Sequence, residues 1–165
     1  MRALAFLLAA ALPLSACGLQ PMYAGGGSGR VAQGLAAVEV GPIEGRAGWL
    51  VRTALEDRLG PSVASPLYRL DVELDDNITG YGIRRDNSVT RERRTLRARY
   101  RLVEAQRGTV VLDATAGSDS GIDVVSSEYA TVAAEQTALE RLSVEIADQI
   151  VSRLALYASR TRERR

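Results

Sequence analysis

The chain has 165 residues, 46% apolar and 25% charged, enough for one ordinary globular domain and too short for two of usual size. It has no His and one Cys, so it lacks the commonest general acid/base and metal ligand and can form neither an intrachain disulfide nor a cysteine metal cluster. All 21 basic residues are Arg, and beyond residue 16 they number 20 against 20 Asp and Glu, a balance that argues against nucleic-acid binding by net charge.

Met1-Arg2 gives a short positive start, and the apolar run Ala3 to Leu14 leads into Ser15 and Ala16, the pattern of a secretory signal. About a dozen residues are too few to span a bilayer, which needs roughly 20. Leu14-Ser15-Ala16-Cys17 resembles the bacterial lipobox: an aliphatic residue, two small ones, then a thiol that accepts a diacylglyceryl group. Two or more acyl chains give stable anchoring, so Cys17 is expected to be a lipidated anchor. Gly18 in place of an Asp implies an outer-membrane destination. The expected division is a signal peptide over 1–16, a lipidated N-terminus and tether over 17–34, one domain over 35–158 and a polar, frayed tail over 159–165. Gly25-Gly26-Gly27 lacks a preceding strand and a Lys, so the glycines of 24–29 read as tether and not as a phosphate loop.

Leu35 to Val40 predicts a short strand ended by Gly41-Pro42. Arg46 to Leu59 predicts a helix with Leu50 or Val51, Ala54, Leu55 and Leu59 on one face and Gly60-Pro61 as its stop. Leu67 to Asp75 alternates, with Tyr68, Leu70, Val72 and Leu74 on the buried face and Arg69, Asp71, Glu73 and Asp75 on the other. Asp75-Asp76-Asn77 lacks calcium-loop spacing and reads as the start of a turn region, 77–88, rich in Gly, Asp and Asn, with one or two extended stretches.

Val89 to Glu104 alternates again, with Leu96, Ala98, Tyr100 and Leu102 inward. Arg107-Gly108 turns the chain into Thr109 to Ser118, where Val110, Leu112, Ala114 and Ala116 are expected inward and Val111, Asp113 and Thr115 outward. Residues 120–127 are expected to close the sheet. Glu128 to Tyr157 has no Gly or Pro, carries Leu139, Leu142, Ile146, Ile150, Leu154 and Tyr157 at helical spacing, and has Ser126 or Ser127 as N-cap. Trp49 and Tyr157 are expected as core anchors. The order β-α-β-β-β-α gives an α+β two-layer sandwich: a mostly antiparallel four-stranded sheet with two helices on one face.

The sharpest feature after Cys17 is a row on one strand face, Arg91, Arg93, Arg97, Arg99 and Arg101, at about 6.6 Å per two residues. Arg84 and Arg85 extend it into the preceding turn. Three roles fit: planar guanidinium groups suit phosphate or carboxylate, so the row could follow an anionic glycolipid; it could dock on an acidic protein wall; or acids on the neighbouring strands could neutralise it into a solvated ion-pair lattice. Asp119, Asp123 and Glu128 single out no acid/base pair, which leaves an envelope enzyme the weakest function class.

Leu14-Ser15-Ala16-Cys17-Gly18-Leu19-Gln20-Pro21-Met22-Tyr23 resembles the start of the LptE family of LPS-assembly lipoproteins: a lipobox followed by Cys-Gly-Phe-x-Pro-Leu-Tyr. The element order and the final helix around Ala133-Ala134-Glu135-Gln136 continue the likeness. The resemblance implies a non-enzymatic protein without cofactors. It implies a lipid-anchored plug in the lumen of the outer-membrane β-barrel LptD, which assists assembly of that barrel and helps deliver LPS to the outer leaflet. Arg85, Arg91, Arg93, Arg97, Arg99 and Arg101 are then the implied LPS or barrel contacts. The alternative is another outer-membrane lipoprotein acting as periplasmic scaffold or barrel-assembly accessory.

Overall fold

A computed structural model describes residues 30–61, 63–83 and 89–163. The signal, Cys17, the glycine tether and the turn with Arg84 and Arg85 lie outside the described residues. The elements run α1 (Arg30–Ala36), β1 (Val38–Val40), α2 (Gly45–Leu59), β2 (Tyr68–Ile83), β3 (Val89–Glu104), β4 (Val110–Asp123) and α3 (Glu128–Glu163). The sheet order is β1-β2-β3-β4; β1 pairs parallel with β2, and the other two pairings are antiparallel. The fold is α+β as expected, with a mixed sheet.

Alternation puts Leu70, Val72, Leu96, Ala98, Tyr100 and Leu102 on the buried face. The helices cover that face with Val51, Ala54, Leu55 and Leu59 from α2 and Leu139, Leu142, Ile146, Ile150 and Leu154 from α3. At about 1.5 Å per residue the 36-residue α3 spans roughly 54 Å, the length of a 16-residue strand at about 3.3 Å per residue. One helix is therefore long enough to run beside β3 and β4, the two strands it packs on. Its N-cap is Ser127, whose Oγ accepts the Ala130 N–H at 3.4 Å. Gly60 ends α2 with φ 78° and donates its N–H to the Glu56 carbonyl at 3.1 Å.

Gly48 is buried where α2 crosses its own lead-in. A Cβ there would lie 2.5 Å from the Ile43 carbonyl oxygen, which is backbone and cannot rotate aside. Gly48→Ala is expected to destabilise the fold by about 1–2 kcal/mol, despite the better helix propensity of Ala, as read from a shift in urea midpoint at constant slope.

Five expectations are corrected. Leu35 and Ala36 belong to α1, which begins at Arg30, so the strand shortens to Val38–Val40 and the stretch assigned to tether ends in a helix. Asp76 to Ile83 continues β2, because pairing with β3 outweighs the poor strand propensity of Asp, Asn and Gly. At the far end α3 continues through Glu163, past the start of the supposed frayed tail. A register shift between Leu102 and Val103 turns Val110 outward, 48% exposed, and lets Val111 pack on the core. Trp49 is no core anchor: it is 64% exposed and shares the outer face of α2 with Thr53 and Glu56. Tyr157 does anchor the core, edge-on to Tyr68 with ring centroids 6.2 Å apart.

Candidate functional site

The odd-numbered positions of β3 carry the Arg row on the sheet face away from the helices. Neighbouring strands supply the acids, directly opposite for Arg91 and on the diagonal, two residues from the register partner, for Arg93, Arg99 and Arg101. Arg91 meets Asp123 at 3.1 Å, Arg93 meets Asp119 at 3.7 Å, Arg99 meets Asp113 at 2.9 Å and Arg101 meets Glu73 at 2.8 Å. On β2, Arg69 meets Asp71 at 2.8 Å. The Arg99 guanidinium, hydrogen-bonded to Asp113, holds that carboxyl below the ordinary carboxylate range. Arg93 also stacks over the Tyr81 ring, 5.7 Å from its centroid. The lattice reading thus holds for four of the row's five described guanidinium groups.

Arg97 differs. Its register neighbours are Asp75 and Gly117, and among the described residues it forms no ion pair. Gly117 offers no side chain, and Asp75 is likewise without an ion pair. One exposed guanidinium therefore stands at the middle of a self-neutralised face, beside a shallow depression also lined by Asp75, Thr115, Gly117 and Gln149. An arginine whose five donors are not held by a carboxylate is the row's readiest partner for an anion.

On the opposite face lies a polar cluster that the sequence reading did not single out. Arg94 donates Nε to Asp76 at 2.8 Å and Nη2 to the same carboxylate at 2.6 Å, while Nη1 reaches the Glu135 carbonyl at 2.8 Å. The Arg94 side chain is 12% exposed. Beside it, burial and the Glu135 carboxyl, which hydrogen-bonds it, push the Glu92 carboxyl up from its ordinary pKa, and Glu92 Oε2 is shut from solvent without a partner. The signal was present: Glu92 and Arg94 fall in the same alternation as Leu96 and Ala98, and polar residues on an inward stripe need partners there.

Catalytic geometry is sparse. A cavity of about 420 Å³ opens between α1, the start of β2 and the C-terminal half of α3. Its walls are mainly apolar, with Leu35, Val38, Leu67, Leu102, Leu154 and Tyr157, and Glu104 is its single carboxyl, where a carboxylate acid/base pair needs two. Among the described residues no three His, Cys, Asp or Glu are placed to hold a metal ion, and no helix is long and apolar enough to cross a membrane.

A profile of the LptE, lipopolysaccharide-assembly, family matches residues 35–154, from the end of α1 to the last core turn of α3. The chain belongs to the LptE family. Solved structures agree with the assignment. A protein of Caulobacter crescentus described as a candidate lipoprotein shares 30% identity with this LptE-family chain, covering 81% of it and 98% of the other, with a TM-score of 0.64. Rare lipoprotein B from Shewanella oneidensis is 10% identical over 76% of this chain and 96% of its own, TM-score 0.60. A minor lipoprotein from Acinetobacter baumannii is 12% identical over 73% and 90%, TM-score 0.60. The last two share the fold. Comparison with curated proteins finds no match. The family match leaves the individual Arg contacts unassigned.

Proposed function

We propose that this LPS-assembly protein is a lipoprotein anchored in the outer membrane through Cys17, that it seats in the lumen of an LptD-type β-barrel, assists that barrel's assembly and helps pass LPS to the outer leaflet. The family match across the whole core carries the proposal. The chemistry of the surface supports it. A protein enclosed by a polar lumen needs a polar, charge-balanced exterior, and the Arg–Asp lattice on the outer sheet face supplies one. Arg97 is the proposed anion contact within that face. Arg91, Arg93, Arg99 and Arg101 contribute by exchanging an intramolecular acid for a ligand or barrel group, and Arg85, outside the described residues, is proposed as a further contact.

Affinity purification of the full-length chain from detergent-solubilised outer membranes tests the reading. One large LPS-export barrel is expected in stoichiometric amount, with LPS bound. Recovery of the chain alone would overturn it in favour of a periplasmic scaffold. Within the recovered complex, Arg97→Glu is expected to lower retained LPS about tenfold, the scale of one lost charge-assisted hydrogen bond. Arg99→Glu is expected to lower it less, because that guanidinium is already engaged by Asp113.

A further inference from the structure

β4 is an edge strand of 14 residues with neither Pro nor Lys, two of the usual devices that blunt such edges. Its continuous register with β3, from Leu112 to Asp123, fixes which backbone groups point outward. Gly117 marks the parity: its N–H donates to Gln149 Oε1 at 3.2 Å and its carbonyl accepts from Gln149 Nε2 at 3.2 Å, both on the side away from β3. Val124, of opposite parity, donates back to the Thr90 carbonyl of β3. Asp113, Thr115, Asp119, Gly121 and Asp123 share the Gly117 parity, so their N–H and C=O groups also point out of the sheet. Among the described residues these groups have no backbone partner beyond the edge.

The Gln149 carboxamide makes with Gly117 the same paired donor and acceptor bonds that a residue of a neighbouring antiparallel strand makes. The edge is thus already shaped to receive an extended amide. On the helix side it is flanked by a stripe at four-residue spacing, Arg141 bonded to Ser120, Glu145 to Ser118, and Gln149 to Gly117, which holds the strand in place, caps its edge at Gly117 with an amide that a docked strand would replace, and leaves the outward groups on either side of Gly117 open.

We propose that the β4 edge is a strand-addition surface that docks an extended segment of the barrel partner, main chain to main chain, along Asp113 to Asp123. This rests on the function proposed above. The charges favour a foreign strand over a second copy. β4 carries Asp113, Asp119 and Asp123, each already held by an Arg of its own β3, and no basic residue, so a second β4 edge brings this face only more carboxylates and no opposite charge. A partner segment with neutral or basic side chains on that face meets no such repulsion. Affinity comes from the backbone ladder, and the small residues Ala116, Gly117, Ser118 and Gly121 allow close approach.

The test uses the full chain and its barrel complex. Thr115→Pro and Asp119→Pro each delete one outward N–H and no backbone bond of the β3–β4 ladder, so an edge strand tolerates them; Asp119→Pro also breaks the exposed ion pair to Arg93, which Asp119→Asn breaks alone as its control. Thr115→Val keeps the N–H and serves as control. Recovery of the barrel with wild type, Thr115→Val and Asp119→Asn, and its loss with both Pro variants at unchanged thermal midpoint, is the expected result. Equal recovery with all variants overturns the edge proposal and leaves the function standing; absence of the barrel with wild type overturns the function first. Hydrogen exchange on the unaltered complex reads the same surface without substitution. The Thr115, Asp119, Gly121 and Asp123 amides are expected to slow on the order of tenfold relative to the free chain, and no slowing counts against the proposal even if a Pro variant fails to fold. A dimer in the free chain that Thr115→Pro dissolves would assign the edge to a second copy instead.

Discussion

Leu142→Ala lowers the unfolding free energy by an expected 2–5 kcal/mol, at about the cost of removing a fully enclosed Leu where the surroundings cannot collapse. Leu142 is 0% exposed, midway along α3, within the one cluster that joins both helices to the sheet. Val51 and Leu55 of α2 and Leu96 and Leu102 of β3 belong to the same cluster and are equally enclosed. The residues of this cluster sit on regular elements tied by their own backbone bonds, so a void within it persists. A chain of this size has a total stability of roughly 5–15 kcal/mol, so a loss of that order removes a large part of it. Urea unfolding at neutral pH provides the measurement, and a change below 1 kcal/mol would show that α3 is not tightly seated there. Val144→Ala, two residues on and on the exposed side of the helix, supplies the contrast and is expected to stay within about 0.5 kcal/mol of wild type.

Much of this arrangement is legible from period alone. The two-residue alternation of Tyr68 to Leu74 and Leu96 to Leu102 assigns the buried face of each strand, and the spacing of Leu139, Leu142, Ile146, Ile150 and Leu154 assigns the stripe of α3. Period fails where pairing overrides local preference. Asp75-Asp76-Asn77 and the glycines at 80 and 82 carry turn chemistry, yet the partner strand holds them extended. It fails also where one extra residue flips a face, as at Val110 and Val111. Trp49 misleads through its size: residues 48, 51, 55 and 59 trace the buried stripe of α2, and 49 lies off it.

The Arg row itself is plain in the sequence, but its electrostatic state is not. Whether Arg91 meets Asp123 or Arg97 meets nothing depends on the β3–β4 register, set by a bulge that composition does not announce. The same holds for the β4 edge, because sheet order and not sequence decides which strand is left without a neighbour.

Arg94→Ala is expected to cost about 2–3 kcal/mol, and the position of the residue explains the size. Losing one partner of a buried pair costs roughly 3–5 kcal/mol because the other charge is stranded, and some screening remains here because the Asp76 side chain is 24% exposed. The substitution strands the Asp76 carboxylate and removes the second bond of the Glu135 carbonyl, two groups that Arg94 ties together between β2 and α3. Glu92→Gln is expected to act in the opposite direction at neutral pH. Burial and the neighbouring Glu135 carboxyl raise the Glu92 pKa in the folded chain above its unfolded value, so folding favours the protonated form. That contribution is fully present below the ordinary Glu value near 4.3 and is lost as pH rises through the raised folded value. An uncharged amide at 92 removes this dependence. Urea midpoints taken from pH 4 to pH 8 should therefore converge for wild type and Glu92→Gln at the acid end and separate toward neutrality, with the Gln variant the more stable. Parallel curves would show that the Glu92 carboxyl is not raised in the folded chain. A selective fall in protection of the first turns of α3 in Arg94→Ala would place the loss at this clasp and not in the apolar core.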